Sequence, residues 1–151
     1  ADEPTTALDV TIQAQILSEV QTLAAEAGTA LVWITHDLSV VAGLADRIAV
    51  MYAGRIVEEG SVVDVLEAPR HPYTAGLIGS VPSRNKRGVP LAQIPGVTPS
   101  MARLPPGCPF APRCAHVLDT CRTVRPERTS LGPGHAARCH NPLGAPEPAA
   151  A

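Results

Sequence analysis

The first part of the chain combines a helical hydrophobic pattern with a strand-like one. In residues 10–27 apolar side chains recur every three or four positions, which predicts an amphipathic helix with one buried face. Asp9 and Gly28 are residue types favoured just before and just after a helix. The almost wholly apolar run 29–35 follows, and it predicts a strand covered on both faces. A helix beside a buried strand is typical of an α/β layer, so we expect a parallel sheet.

Shorter elements are predicted further along the chain. Glycine accepts the positive φ of a tight turn, so Ala53–Gly54 indicates a β-hairpin. A capping serine and a first-turn proline mark the starts of two short helices. The predicted elements are a helix over 38–45, strands over 47–52 and 55–60, and helices over 62–67 and 72–79.

Composition narrows the class of protein. The apolar fraction of 45% is enough for a core, but the aromatic fraction is only 3%. A net charge of −2 gives no case for a nucleic-acid surface, and we interpret the basic run 84–87 as a solvated loop. No stretch approaches the ~20 apolar residues that span a bilayer, and no leader is recognisable. We therefore expect the protein to be located in the reducing cytosol. Most of the sixteen prolines follow residue 68, and the pattern predicts an extended linker over 81–107.

Two places in the first part carry candidate chemistry. Asp2 and Glu3 stand side by side before a proline, a pattern that by itself is most common in exposed turns. The apolar run 29–35 ends at His36, which places a histidine at the carboxyl end of the predicted strand. Ligands of open α/β sheets bind outside the carboxyl ends of the strands.

These segments resemble the ATP-binding subunits of ABC transporters. Residues 1–9, ADEPTTALD, resemble the end of the Walker B segment and the D-loop. The residues ITHD (34–37) resemble the switch-histidine loop, and DRIAVMYAGRIVEEG (46–60) is similar to the stretch that follows it. Order and spacing agree from residue 1 to residue 60. The resemblance implies the C-terminal part of a P-loop NTPase domain, with a parallel sheet and a β-hairpin.

The resemblance also implies roles for four residues. Asp2 would help to hold the Mg²⁺ of Mg-ATP, usually through water. Glu3 would polarise the attacking water as the general base, and His36 would contact the γ-phosphate. Asp9 would cross to a second ATPase subunit, because the family's site closes between two stacked domains.

Three parts of the family's site are missing from the sequence. There is no G-x-x-x-x-G-K-[ST] phosphate loop, no glutamine loop and no serine–glycine–glycine signature. We therefore expect this chain to be the second part of a larger domain, and to be inactive alone.

The segment APRHPYTAGLIGSVPS (68–83) resembles the C-terminal extension of dipeptide and oligopeptide import ATPases, and 91–114 is also similar to it. The predicted organisation is an ATPase part over 1–67, the extension over 68–141 and a disordered tail over 142–151. Related importers of nickel or other small solutes share the extension. The resemblance implies ATP-driven import at the cytoplasmic face of the bacterial membrane. The implied partners are a second ATPase subunit, identical or homologous, two permease subunits and, indirectly, a solute-binding protein.

Four cysteines lie in the extension. Their spacing lacks the close pair, two to four residues apart, that is usual for structural zinc. A cubic iron–sulfur cluster tolerates wider separations, because each thiolate binds a different iron. Members of the family with this cysteine block can bind a four-iron cluster, so the resemblance implies a 4Fe-4S site. Zinc, with a histidine such as His116, His135 or His140 replacing a thiol, stays an alternative, followed by free thiols and disulfides. The proposed ligands are Cys108, Cys114, Cys121 and Cys139.

Two other classes of protein compete with the transporter interpretation. An ATPase of DNA repair or chromosome organisation would share the Walker B and switch residues. It is disfavoured by the HPYT segment and by the lack of a basic groove. A non-catalytic, metal-binding interaction module would account for residues 81–141 but would leave Asp2, Glu3 and His36 unexplained.

Overall fold

The structure, a computed structural model, describes residues 1–82, 85, 88 and 90–144. It divides into two compact units, Ala1–Asp46 and Arg47–Ala151. Most of the basic run 84–87 and of the predicted tail 142–151 lies outside the described residues. Within the described ranges, no helix is both long and apolar enough to cross a membrane.

The first unit is built around helix α1, Val10–Ala27. The Asp9 carboxylate accepts hydrogen bonds from the backbone N–H groups of Thr11 and Ile12, at 2.9 and 3.0 Å. Gly28 ends the helix with a φ of 57°, in the left-handed region that glycine tolerates best. The predicted helix and both caps are confirmed. No residue of α1 is fully buried, so the predicted buried face is only half-buried in this structure.

The apolar run 29–35 is extended but does not form a strand. Its pairing is a single parallel bridge, between Asp2 and Ile34. Val32 is 75% exposed and Ile34 is 54% exposed. The prediction of a strand covered on both faces is therefore wrong for the described residues. A strand needs a longer ladder of backbone hydrogen bonds, whereas this run is joined to residues 1–3 by three such bonds around the one bridge.

The second unit contains a four-stranded sheet of order β1-β2-β4-β3. All three strand pairs are antiparallel, so the described residues do not support the predicted parallel sheet. Tight turns join β1 to β2 and β3 to β4, and a tight turn can only return the chain in the opposite direction. The first of them is the predicted hairpin, with Ala53 and Gly54 both at positive φ. The strands are β1 Arg47–Tyr52, β2 Arg55–Ser61, β3 Thr129–Gly132 and β4 His135–Ala137.

The first unit also contains helix α2, Leu38–Leu44. In the second unit, three α-helices lie in the described residues beside the sheet. The predicted helices over 38–45, 62–67 and 72–79 are confirmed within a residue. The last helix, together with β3 and β4, was not predicted. The helices of the second unit are α3 Val62–Glu67, α4 Pro72–Gly79 and α5 Asp119–Thr123.

The core of the second unit is aromatic. Tyr52, Tyr73 and Phe110 are three of the four aromatic residues in the chain, and their ring centroids lie 4.5 to 5.4 Å apart. Such edge and tilted contacts add to the area that the rings bury. The cluster joins the β1–β2 hairpin, α4 and the cysteine-containing loop into one unit.

Candidate functional site

Two extended segments bring Glu3 and His36 together in the first unit. The backbone N–H of Glu3 donates to the carbonyl oxygen of Ile34 at 2.9 Å. Because the two segments run parallel, their carboxyl ends lie at the same edge. The Glu3 Oε1 and His36 Nδ1 atoms are 2.8 Å apart, although 33 positions separate the residues in the sequence. The structure therefore places a carboxylate and an imidazole in direct contact at this edge.

The contact shifts the pKa of both groups. The pKa of Glu3 is lowered, first by the hydrogen bond with His36 and then by one from Thr6. The pKa of His36 is raised, first by the hydrogen bond with Glu3 and then by the charge of that carboxylate. Glu3 is thus held in its ionised form, which can accept hydrogen bonds and orient a water molecule. Both side chains are exposed, 44% for Glu3 and 70% for His36, so solvent reaches the pair.

The other acidic candidates of the first unit differ from Glu3 in the hydrogen bonds that their carboxylates make. In the described part of the chain, the Asp2 carboxylate is exposed and makes no hydrogen bond or ion pair. Asp9 is occupied as the N-cap of α1. Asp37 was not singled out from the sequence, and it caps α2 by accepting a hydrogen bond from the Ser39 N–H at 2.9 Å. Of these three acids, Asp2 is the one whose carboxylate caps no helix.

The four cysteines come from four places in the second unit. Cys108 donates its N–H to the carbonyl oxygen of Cys121 at 2.8 Å, which ties the first loop to α5. Three sulfur atoms accept hydrogen bonds from backbone N–H groups, at 3.3 to 3.4 Å. The pKa of Cys139 is raised to about 12, mainly by burial and further by the charges of the other three thiols. The four thiols therefore share one neighbourhood, and burial raises the pKa of Cys108, Cys114 and Cys139, which favours their neutral form.

The predicted metal site is not supported by the described residues. No group of three or more His, Cys, Asp or Glu side chains among them could hold a metal ion. One zinc ion at ~2.3 Å from each sulfur needs sulfur atoms about 4 Å apart. The described thiols do not form such a group. Neither a zinc site nor an iron–sulfur cluster is therefore shown by the described residues.

Comparison with known proteins finds a family match within the second unit. Residues 57–121 match the family described as "Oligopeptide/dipeptide transporter, C-terminal region". The resemblance inferred from the sequence is confirmed, since most of the chain is also similar to ATP-binding proteins of peptide transport.

Three curated relatives show how far the similarity extends. The oligopeptide transport ATP-binding protein OppD of Salmonella typhimurium is 48% identical over 143 residues, which are 95% of this chain and 42% of that protein. OppD of Escherichia coli shows the same identity and coverage. OppD of Mycobacterium bovis is 53% identical over 139 residues, which are 91% of this chain and 23% of that protein. The chain spans less than half the length of these relatives.

The matched segment 57–121 contains a buried carboxylate that was not predicted from the sequence. Glu58 on β2 is 0% exposed. Its Oε1 accepts hydrogen bonds from the Arg70 N–H at 2.7 Å and from the His135 imidazole at 2.8 Å, and its Oε2 accepts one from the His71 N–H at 2.9 Å. One side chain thus anchors the start of the His71–Pro72–Tyr73 segment to two strands.

The same region is tied together by an arginine. Arg113 donates from Nε to the carbonyl oxygen of Pro95 at 2.8 Å, and from Nη1 to the Thr98 hydroxyl at 3.2 Å. These bonds hold part of the predicted linker against the cysteine loop. This role could not be predicted from the sequence, because Arg113 lies between a proline and a cysteine and belongs to no periodic pattern or motif.

Proposed function

We propose that this chain is the C-terminal part of the ATP-hydrolysing subunit of a bacterial peptide importer. The proposal is supported by relatives named as oligopeptide transport ATP-binding proteins that match most of the chain. The observation that carries it is the 2.8 Å contact between the Glu3 carboxylate and the His36 imidazole. A carboxylate and a histidine at the ends of adjacent extended segments are what water activation beside a phosphate requires.

Each acidic residue has a role in this proposal. Glu3 accepts a hydrogen bond from the attacking water and orients it. His36 donates to the γ-phosphate and keeps Glu3 in place through Nδ1. The free carboxylate of Asp2 suits Mg²⁺, which prefers oxygen ligands, retains several waters and neutralises phosphate charge. Asp9 lies at the start of α1, where it would face a second ATPase subunit.

The proposed setting is peripheral, on the cytoplasmic face of the bacterial membrane. Two ATPase subunits, identical or homologous, would bind two permease subunits, and a solute-binding protein would deliver the peptide to the permeases. Closing of the two ATPase domains around ATP would change the permeases from one orientation to the other. The ATPase subunit does not contact the solute, so nickel or another small solute is the second candidate cargo.

The proposal is tested in the full-length subunit assembled with its permeases. Glu3→Gln should lower ATP hydrolysis by about 10²-fold or more while ATP binding persists, because the positioned base is lost but the phosphate contacts are not. Glu19→Gln is the matched control, since Glu19 is an exposed acid on α1 without a hydrogen bond or ion pair in the described residues. Hydrolysis that survives Glu3→Gln would refute the proposal. Hydrolysis by the 151-residue chain alone, abolished by Glu3→Gln, would contradict its status as a part.

We also propose that Cys108, Cys114, Cys121 and Cys139 bind an iron–sulfur cluster in the full-length protein. A cluster suits this donor set better than one ion, because its thiolates bind different irons and can lie farther apart. Support comes from the mutual influence of the thiols and from the N–H groups that point at three of the sulfur atoms. Metal ligation would stabilise a loop region that has few large apolar side chains.

Anaerobic purification tests the cluster separately from the ATPase activity. Iron and acid-labile sulfide should both be present at about four per chain, as a cubic cluster requires. They should be lost in Cys139→Ser. A colourless protein with one zinc per chain, or with no metal at all, would refute this second proposal and leave the first intact.

A further inference from the structure

A threonine in the turn after Glu3 contacts the same carboxylate as His36. The Thr6 hydroxyl donates to Glu3 Oε2 at 3.1 Å, while His36 occupies Oε1 at 2.8 Å. Both oxygen atoms of the carboxylate are therefore held, by two side chains from different segments. We propose that Thr6 is a positioning residue for Glu3, which fixes the plane of the carboxylate during ATP hydrolysis. This inference rests on the proposed function.

The backbone explains why Thr6 reaches Glu3. Glu3 has a φ of 43°, a left-handed conformation that is uncommon for a residue other than glycine. The chain then turns, and the Thr6 N–H donates to the Glu3 carbonyl oxygen at 3.3 Å. The neighbouring Thr5 is only 5% exposed, whereas Thr6 is exposed. Of the two adjacent threonines, only Thr6 presents its hydroxyl to the carboxylate.

The second contact adds to the restraint that His36 provides. If His36 donates to the γ-phosphate through Nε2, it holds Glu3 through Nδ1 alone, and that bond reaches only Oε1. The Thr6 hydroxyl holds the other carboxylate oxygen, Oε2. Without it, Glu3 could rotate, and a misplaced base orients water poorly.

The experiment compares four variants of the full-length protein in its transporter complex. Thr6→Val keeps the shape of the side chain and removes the hydroxyl, whereas Thr6→Ser keeps the hydroxyl. Thr22→Val is the control, because the Thr22 hydroxyl bonds only to the Ser18 carbonyl oxygen within α1. Glu3→Gln reports on the proposed function itself. For each variant, kcat and KM for ATP are measured, and nucleotide binding shows that the site is folded.

Thr6→Val should lower kcat by about 3- to 10-fold, as expected for one lost hydrogen bond, with KM for ATP nearly unchanged. Thr6→Ser should restore most of the rate, and Thr22→Val should match the wild type. A wild-type rate in Thr6→Val, or an equal loss in Thr6→Ser, would overturn the inference. If Glu3→Gln is inactive in that case, the inference fails alone. If Glu3→Gln is fully active, the proposed function fails as well.

Discussion

Replacing Glu58 tests how the buried carboxylate holds the His71–Pro72–Tyr73 segment. Glu58 uses both oxygen atoms as acceptors, for two backbone N–H groups and for the His135 imidazole. Glutamine has nearly the same shape but only one acceptor oxygen. The NH₂ group of the glutamine amide would therefore face one of the present donors, and neither group would have an acceptor. Glu58→Leu removes all three bonds.

The expected cost follows from these contacts. A buried donor that loses its acceptor costs about 1–3 kcal/mol, and Glu58→Leu leaves three such donors without an acceptor. We expect Glu58→Gln to lower the local unfolding free energy by about 2 kcal/mol, and Glu58→Leu by about 4 kcal/mol. Glu59→Gln is the matched control. Glu59 is the adjacent residue, its side chain is 27% exposed, and its ion pair with Arg128 lies at the surface, where such pairs contribute about 0–1 kcal/mol.

Hydrogen–deuterium exchange of the full-length protein measures this locally. Amides of β2, of the first turn of α4 and of β4 should exchange about 30-fold faster in Glu58→Gln, and about 10³-fold faster in Glu58→Leu. Glu59→Gln should leave these rates within a few-fold of the wild type. Equal effects of Glu58→Gln and Glu59→Gln would refute the reasoning, because the two adjacent glutamates differ mainly in burial and in the bonds they accept.

Three further predictions concern the second unit. Burial lowers the pKa of His71 from 6.5 to about 4. Between these pH values the unfolded state binds more protons than the folded state, so the free energy of unfolding should fall by about 3 kcal/mol as the pH falls from 6.5 to 4. Thermal melting at a series of pH values should show this loss, and His71→Asn, which keeps a capping side chain, should remove it. The Thr74 hydroxyl is buried without a hydrogen-bond partner in the described residues, so Thr74→Val should be neutral or stabilising by up to about 1 kcal/mol, and a clear loss in thermal melting would contradict this. A Cβ at Gly107 would lie 2.3 Å from the carbonyl oxygen of Cys121, whereas a Cβ at Gly79 would have no neighbour within 4 Å. Thermal melting should therefore show that Gly107→Ala destabilises the protein by about 1–3 kcal/mol and that Gly79→Ala, the control, does not.

The elements that sequence predicted well are those with local signals. Helix α1 has an N-cap, a C-cap and a regular apolar spacing, all of which lie inside its own segment. The first hairpin has a turn that needs positive φ at Gly54. The predicted parallel sheet is not supported, because an apolar run such as 29–35 predicts burial but does not say which segment will pair with it. Strands β3 and β4 were missed because they have only four and three residues.

The candidate site was predictable only in part. His36 follows the predicted strand 29–35, and adjacent parallel segments have their carboxyl ends at the same edge, so the sequence indicated that Glu3 and His36 could lie close together. The Thr6 contact could not be foreseen, because it depends on the left-handed conformation of Glu3, and glutamate rarely adopts that conformation. Nor could the sequence tell Glu58 from Glu59, because the choice of which one is buried depends on β4 and on α4.

The contrast between Glu3 and Glu58 separates chemistry from structure in this chain. Glu58 is fully buried, and its oxygen atoms are saturated by two backbone N–H groups and an imidazole. It can therefore neither reach water nor change partners without local unfolding. Glu3 is 44% exposed and is held by two side chains that can move. Solvent access with partial restraint is what a water-activating base needs, so the two glutamate–histidine pairs should respond oppositely to mutation. Glu58→Gln should change stability, and Glu3→Gln should change turnover with little change in stability.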